Sequence, residues 1–196
     1  MPPRGDSPLP FGGGGAEARH ISSSRDRGAG GQGEGRARRP TPSQTVGPFF
    51  GIGLPFEGDS EAVSRSSAEA VRVEGQMLDG SGQPVPDGLV EVWSGQQFAR
   101  CRTDPEGAFH FIVIKPAAEA EDDAPHLNIN VFARGLLRHL ATRMYFPDVA
   151  GANAKDRVLG QVDPKRRETL LAHSDDGVLR FDIRLQGESE TVFFQL

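Results

Sequence analysis

The chain has 196 residues and a formal net charge of −5, enough for one domain and a tail. The first forty residues hold seven arginines and four acidic residues, a balance of +3, which leaves −8 on residues 41–196. An acidic body argues against nucleic acid as a partner, and no apolar run nears the about eighteen residues of a membrane-spanning helix. The single cysteine, Cys101, excludes an internal disulfide and fits a reducing, cytoplasmic setting.

Residues 1–40 are mostly Gly, Ser, Pro and Arg, with Leu9, Phe11 and Ile21 almost the only large apolar groups. Nothing there offsets the entropy of ordering, so a disordered tail is expected. It lacks the apolar stretch of a secretory signal. Residues 41–70 read as an arm and linker. Prolines 42 and 48 and Gly47 speak against a regular helix or a central strand, yet Val46, Phe49, Phe50, Ile52 and Leu54 are too apolar for a free linker. An extended, packed arm is expected.

From residue 71 to 196 the pattern is that of strands. Residues 71–78 alternate around Gly75, a candidate bulge, and residues 79–82 form a turn. Strands follow at 89–93, 98–103 and 108–114, with a turn at 104–107. An acidic run, Glu119 to Asp123, reads as a solvated loop. Further strands are expected at 126–134, 140–146, 178–185 and 190–194. Asp163-Pro164 reads as the start of one short helix over 166–172, and a weaker helical signal lies near 150–154. Short strands with turns every eight to twelve residues give an all-β class, an antiparallel β-sandwich with one short helix.

Strand 126–134 carries the chemistry. Leu127, Ile129, Val131 and Ala133 form its apolar face, while His126, Asn128, Asn130 and Arg134 share the other. Two histidines spaced by one residue on a strand aim both imidazoles the same way and commonly hold a metal. Here the second position is Asn128, whose amide oxygen is a poor ligand for a transition metal. The pair reads as a metal site with its chemistry removed. A lone strand histidine is ordinarily a hydrogen-bonded structural residue, and His126 fits that reading as well.

Three stretches together resemble the intradiol ring-cleaving dioxygenases: residues 41–49 with Ile52-Gly53-Leu54, residues 75–79 through Val90-Glu91-Val92-Trp93, and Ala124-Pro125-His126-Leu127-Asn128 with Phe132-Ala133-Arg134-Gly135. Residues 166–170, 180–184 and 187–194 add weight. The resemblance implies a prealbumin-like sandwich and a ferric ion held by two tyrosinates and two histidines. It implies that the ion works with O2 to open a catechol ring between its hydroxyl-bearing carbons. This chain has one tyrosine, Tyr145, so two tyrosinates cannot come from it, and only His126 occupies a matching ligand position. One ligand in four does not hold ferric iron against water. The resemblance is therefore to the metal-free member of the family's two-subunit, protocatechuate-cleaving branch. There a homologous beta subunit carries the Fe3+ and the metal-free chain lines part of the pocket.

On that resemblance Thr45, Gly47 and Pro48 of the arm stand at the pocket wall. A Gly-Pro kink suits close approach of backbone to a flat ring, and the threonine hydroxyl can bond a carboxylate or water. Phe49 stands where the family usually has tyrosine. Arg134 matches an anionic substrate such as protocatechuate in charge and geometry. Eight residues of straight strand, roughly 26 Å at about 3.3 Å each, separate it from His126, so it is expected to serve the partner's pocket. Trp93 reads as core or interface packing. The connection after Trp93 is shorter than the family's usual excursion. A competing reading is a non-catalytic transthyretin-like binding module, which shares the pattern of residues 75–93. A self-sufficient catechol dioxygenase is excluded by the single tyrosine.

Overall fold

The structure is a computed structural model that describes residues 41–195; the tail reading concerns residues outside that range. The strands form two sheets. The first contains β1 (Ala70–Leu78), β4 (Ala108–Ile114), β7 (His173–Asp175), β8 (Val178–Arg180) and β9 (Ile183–Arg184), ordered β4-β1-β8-β7 with β9 also on β1. The second contains β2 (Leu89–Ser94), β3 (Gln97–Arg102), β5 (His126–Phe132) and β6 (Leu140–Tyr145), ordered β3-β2-β5-β6.

Alternation places Val73, Met77, Val90, Val92, Phe111, Leu127, Ile129, Val131 and Met144 in one buried cluster. Each such side chain contributes about 1.5–3 kcal/mol on burial. The sandwich expected from the strand spacing is therefore the one observed. Its sheets are not wholly antiparallel, because β1 pairs in parallel with β8 and β9.

Strand 178–185 was expected to be continuous, and it breaks between β8 and β9. A Cβ on Gly75 would lie 1.8 Å from the Phe181 carbonyl oxygen, so the returning chain crosses the one position of β1 that has no side chain. There the Asp182 carboxylate replaces a backbone carbonyl in the ladder and accepts from the Gln76 amide at 3.0 Å. The expected strand at 190–194 reduces to one bridge, Ala141 with Phe194.

The helix expected at 166–172 is a single 3-10 turn, Arg167–Leu170. Leu171 leaves it to bridge Tyr145, and the Ala172 amide donates to the Tyr145 carbonyl at 3.0 Å. Tertiary pairing thus ends the helix after one turn. The arm also differs from expectation: it carries one α-helical turn, α1 (Phe50–Gly53). Pro48 and Pro55 bracket that turn instead of interrupting it. Gly51 packs over β3, where an added Cβ would meet Arg102 Nε at 3.3 Å, and Arg100 Nη1 donates to the Leu54 carbonyl at 3.2 Å. Two further helical turns, α2 (Ala150–Asn153) and α3 (Arg157–Gln161), follow β6.

Candidate functional site: the two ends of strand β5

His126 opens β5 and is paired in register with Tyr145 on β6; one step on, Asn128 is paired with Arg143. The period of two points these four side chains to the outer face of the second sheet. The His126 and Tyr145 rings lie 5.6 Å apart at 42°. His126 is buried, and its Nδ1 donates to the Ala124 carbonyl at 2.8 Å, which leaves the lone pair on Nε2.

Two carboxylates complete this end. Asp123 Oδ1 lies 3.7 Å from His126 Nδ1 and 3.4 Å from Arg143 Nη1. Asp156 caps α3: Oδ1 accepts from the Leu159 amide at 2.6 Å and from the Tyr145 hydroxyl at 3.0 Å, and Oδ2 accepts from the Ala124 amide at 2.8 Å. Arg143 Nη1 also lies 3.4 Å from the Tyr145 hydroxyl. Burial pushes the Asp156 carboxyl up, but the Leu159 and Ala124 amides and the Tyr145 hydroxyl outweigh it, so its pKa is lowered. Burial pushes the Tyr145 phenol well above its ordinary value, against the pull of Arg143. The phenol stays protonated at neutral pH.

These residues do not fit a ferric ion. They offer one imidazole, a phenol that keeps its proton, and two carboxylates, of which Asp156 already accepts three hydrogen bonds and Asp123 faces Arg143. A guanidinium stands among them.

The far end of β5 is different in kind. Past Phe132 the chain turns, and the Gly135 amide donates to Thr45 Oγ1 at 2.7 Å. That bond, between residues 90 apart in sequence, brings Thr45 of the arm beside Arg134. Arg134 pairs with Asp87 through Nε, and its side chain remains 57% exposed. Gly47 and Pro48 are exposed, and a Cβ on Gly47 would meet nothing within 4 Å. A shallow cavity of about 160 Å³ adjoins them, lined by Gln44, Val46, Phe132, Leu136 and His139 among others. Phe49, Ile52 and Phe56 of the arm are exposed, and so are Trp93 and Phe98, which lie in one cross-strand row with Asn128 toward the other end of β5. Trp93 is therefore not a core residue, and it pairs with Phe98 across the tight β2–β3 connection.

The structure thus separates the expected site residues into two groups. His126 and Asn128 stand at one end of the strand; Thr45 and Arg134 meet at the other, with Gly47 and Pro48 on the same arm. Three residues of the first end, Asp123, Arg143 and Asp156, were not named as site residues in sequence, and Tyr145 was named only as the single tyrosine. Asp123 belongs to a run read as solvated, yet it turns inward toward His126 while Glu119 to Asp122 remain exposed. Arg143 and Tyr145 were legible as outward residues of a strand, given a hairpin register with β5. Asp156 shows a capping pattern, an aspartate three residues before a buried leucine.

No family model matches the chain. Solved structures of dioxygenases share its fold. One is the dioxygenase domain of a carbohydrate-binding fusion from Streptomyces sp. SirexAA-E, with TM-score 0.53 and 20% identity over 80% of this chain and 96% of that one. Another is an intradiol ring-cleavage dioxygenase from Tetranychus urticae, with TM-score 0.51 and 12% identity over 64% and 83%. The class is thus that of the intradiol dioxygenase fold. In sequence the chain is 39% identical over 191 residues to the protocatechuate 3,4-dioxygenase alpha chain of Burkholderia cepacia, covering 80% of this chain and 97% of that protein. It is 40% identical over 191 residues to the alpha chain of Pseudomonas putida, covering 79% and 95%. The Burkholderia cepacia beta chain matches at 31% over 154 residues, covering 65% and 62%. The chain belongs to the family of protocatechuate 3,4-dioxygenase alpha chains, an oxidoreductase family. No helix among the described residues is long and apolar enough to cross a membrane.

Proposed function

We propose that this chain is the metal-free subunit of a two-subunit dioxygenase. In that assembly a homologous beta subunit holds the Fe3+, and the pair cleaves protocatechuate with O2 to 3-carboxy-cis,cis-muconate. The observation that carries this reading is the chemistry around His126: the one phenol keeps its proton, so no tyrosinate is offered, and a guanidinium stands among the remaining groups. Such a chain contributes to ring cleavage through its surface.

Thr45, Gly47, Pro48 and Arg134 form the part of that surface offered to the partner's pocket. The open space over Gly47 and the exposed Arg134 guanidinium support this. The substrate carboxylate would pair with Arg134, since a guanidinium matches a carboxylate in charge and geometry. The iron, when bound by the beta subunit, supplies the activation of the catechol toward O2. The residues of this chain bind, orient and exclude water.

Co-expression tests the reading. The chain purified with a beta-type homologue is expected to give an iron-containing, protocatechuate-cleaving complex, with one iron per pair. Purified by itself it is expected to be colourless and inactive. Tightly held ferric iron and ring opening in the lone chain would end the proposal.

A further inference from the structure

Two of the arm's ties to the sandwich meet at one residue of β3. The Arg100 amide donates to the Asp59 carbonyl at 2.6 Å, and Arg100 Nη1 donates to the Leu54 carbonyl at 3.2 Å. Residues 54–59 therefore loop around Arg100, and the Phe56 amide closes the loop by donating to Asp59 Oδ2 at 2.9 Å. The guanidinium is itself held. Nε and Nη2 both donate to Oε1 of Glu91, its register partner on β2, at 2.9 and 2.6 Å. It also lies 5.4 Å from the centre of the Phe98 ring. The Arg100 and Glu91 side chains are only 20% and 14% exposed. A planar fork fixed on one side presents its remaining donor in a set direction. The other end of the arm is tied to the end of β5 through Thr45 and Gly135. Gly47 and Pro48 lie between these ties and are exposed, and a Cβ on Gly47 would meet nothing within 4 Å. Where they stand is set by the anchors on either side.

We propose that Arg100, clamped by Glu91, is the positioning residue of the arm: by holding Leu54 it fixes where Gly47 and Pro48 stand against the substrate in the partner's pocket. It acts through the arm rather than on the substrate. The inference rests on the reading that the arm lines the partner's pocket, and adds what keeps it there. Substrate then binds to the fraction of chains whose arm is docked, so release of the arm raises KM in proportion as that fraction falls. Saturating substrate draws the arm back, and kcat holds. A residue that merely stabilised the fold would lower Tm and the yield of complex, and would leave the KM of the surviving complex alone.

The test is read on the full chain by itself and on its complex with a beta-type homologue. Arg100→Met keeps the stem and removes the donors. In the lone chain, chymotrypsin is expected to cut at the exposed Phe49 about tenfold faster or more. That is the scale of a lost charge-assisted bond, since cleavage follows the opened population. In the complex, KM for protocatechuate is expected to rise about threefold or more with kcat unchanged. Arg100→Met also strands Glu91, so the apolar pair Glu91→Leu with Arg100→Leu separates positioning from stability. Well-packed apolar side chains replace such an ion pair at little cost. The pair is expected to keep Tm within a few degrees of wild type and still to show fast cleavage and a raised KM. Should Arg100→Met fail to fold, the pair decides alone. Wild-type cleavage in the pair would overturn the inference and leave the proposed function standing. Fast cleavage with an unchanged KM would also overturn it, since the arm would then have no say in substrate binding. A wild-type complex that does not open protocatechuate would overturn the proposed function and the inference together.

Discussion

The two ends of β5 are built from the same residue types and come to opposite states. At the His126 end Asp123, His126, Arg143, Tyr145 and Asp156 each have a partner inside the chain, and His126, Tyr145 and Asp156 are buried. At the Arg134 end the guanidinium is largely exposed, Gly47 faces open space, and Phe49 and Ile52 of the arm face outward. The first end is chemically closed within one polypeptide. The second leaves a guanidinium and the backbone of the arm open to solvent. Burial and exposure are thus separately encoded at the two ends of one strand.

The sharpest way to break the closed end is Asp156→Ala. It strips the cap of α3 and leaves the Ala124 amide and the Tyr145 hydroxyl without their acceptor. Each buried unsatisfied group costs about 1–3 kcal/mol, so a loss of about 3 kcal/mol or more is expected in urea unfolding, with the slope unchanged. At the open end the same kind of change should barely move stability and should move catalysis instead. Arg134→Ala breaks an exposed ion pair worth about 0–1 kcal/mol. In the assembled complex the variant is expected to raise KM for protocatechuate by about tenfold or more, the scale of a lost charge-assisted bond of about 1.5–3 kcal/mol. An unchanged KM would make Arg134 a surface residue only.

Titration sharpens the contrast further. Asp156 has a lowered pKa in the folded chain, so the stability it adds is present above the unfolded carboxylate range. That stability is lost as pH falls through the folded value. Asp156→Asn should flatten the acid limb of the stability curve below about pH 4. The Tyr145 phenol is raised, so its contribution is full below the ordinary phenol range and is lost as pH climbs above about 10. Tyr145→Phe should remove that alkaline decline at a cost of about 1 kcal/mol at neutral pH. The smallest effect belongs to Thr45→Val. It removes one bond to an exposed amide that water can replace, so global stability should change by less than about 0.5 kcal/mol. Limited proteolysis of the arm should accelerate.

Much of the sandwich was legible because alternation is a local property. β4 falls on residues 108–114 as expected, and the apolar face of β5 is the buried one. The misread places share one cause, which is a partner distant in sequence. Nothing within residues 178–185 announces that Gly75 lies opposite and lets Phe181 cross it. Nothing within residues 166–172 announces that Leu171 is claimed by Tyr145. The arm failed differently, since Pro42 and Pro48 were weighed as breakers of the whole segment when both precede its one helical turn.

For the site, residue identity alone carried one conclusion: a chain with a single tyrosine cannot offer two tyrosinates, whatever its fold. Asn128 beside His126 was equally local, a matter of two positions on one strand. What stands in the metal's stead was not local. Asp123 and Arg143 are 20 residues apart, Tyr145 and Asp156 are 11 apart, and Ala124 and Asp156 are 32 apart. A charge finds its counter-charge through space, and the hairpin register and the return of α3 bring these groups within reach. Composition could therefore exclude a pair of tyrosinates, but the counter-charge of Asp123 is set by packing.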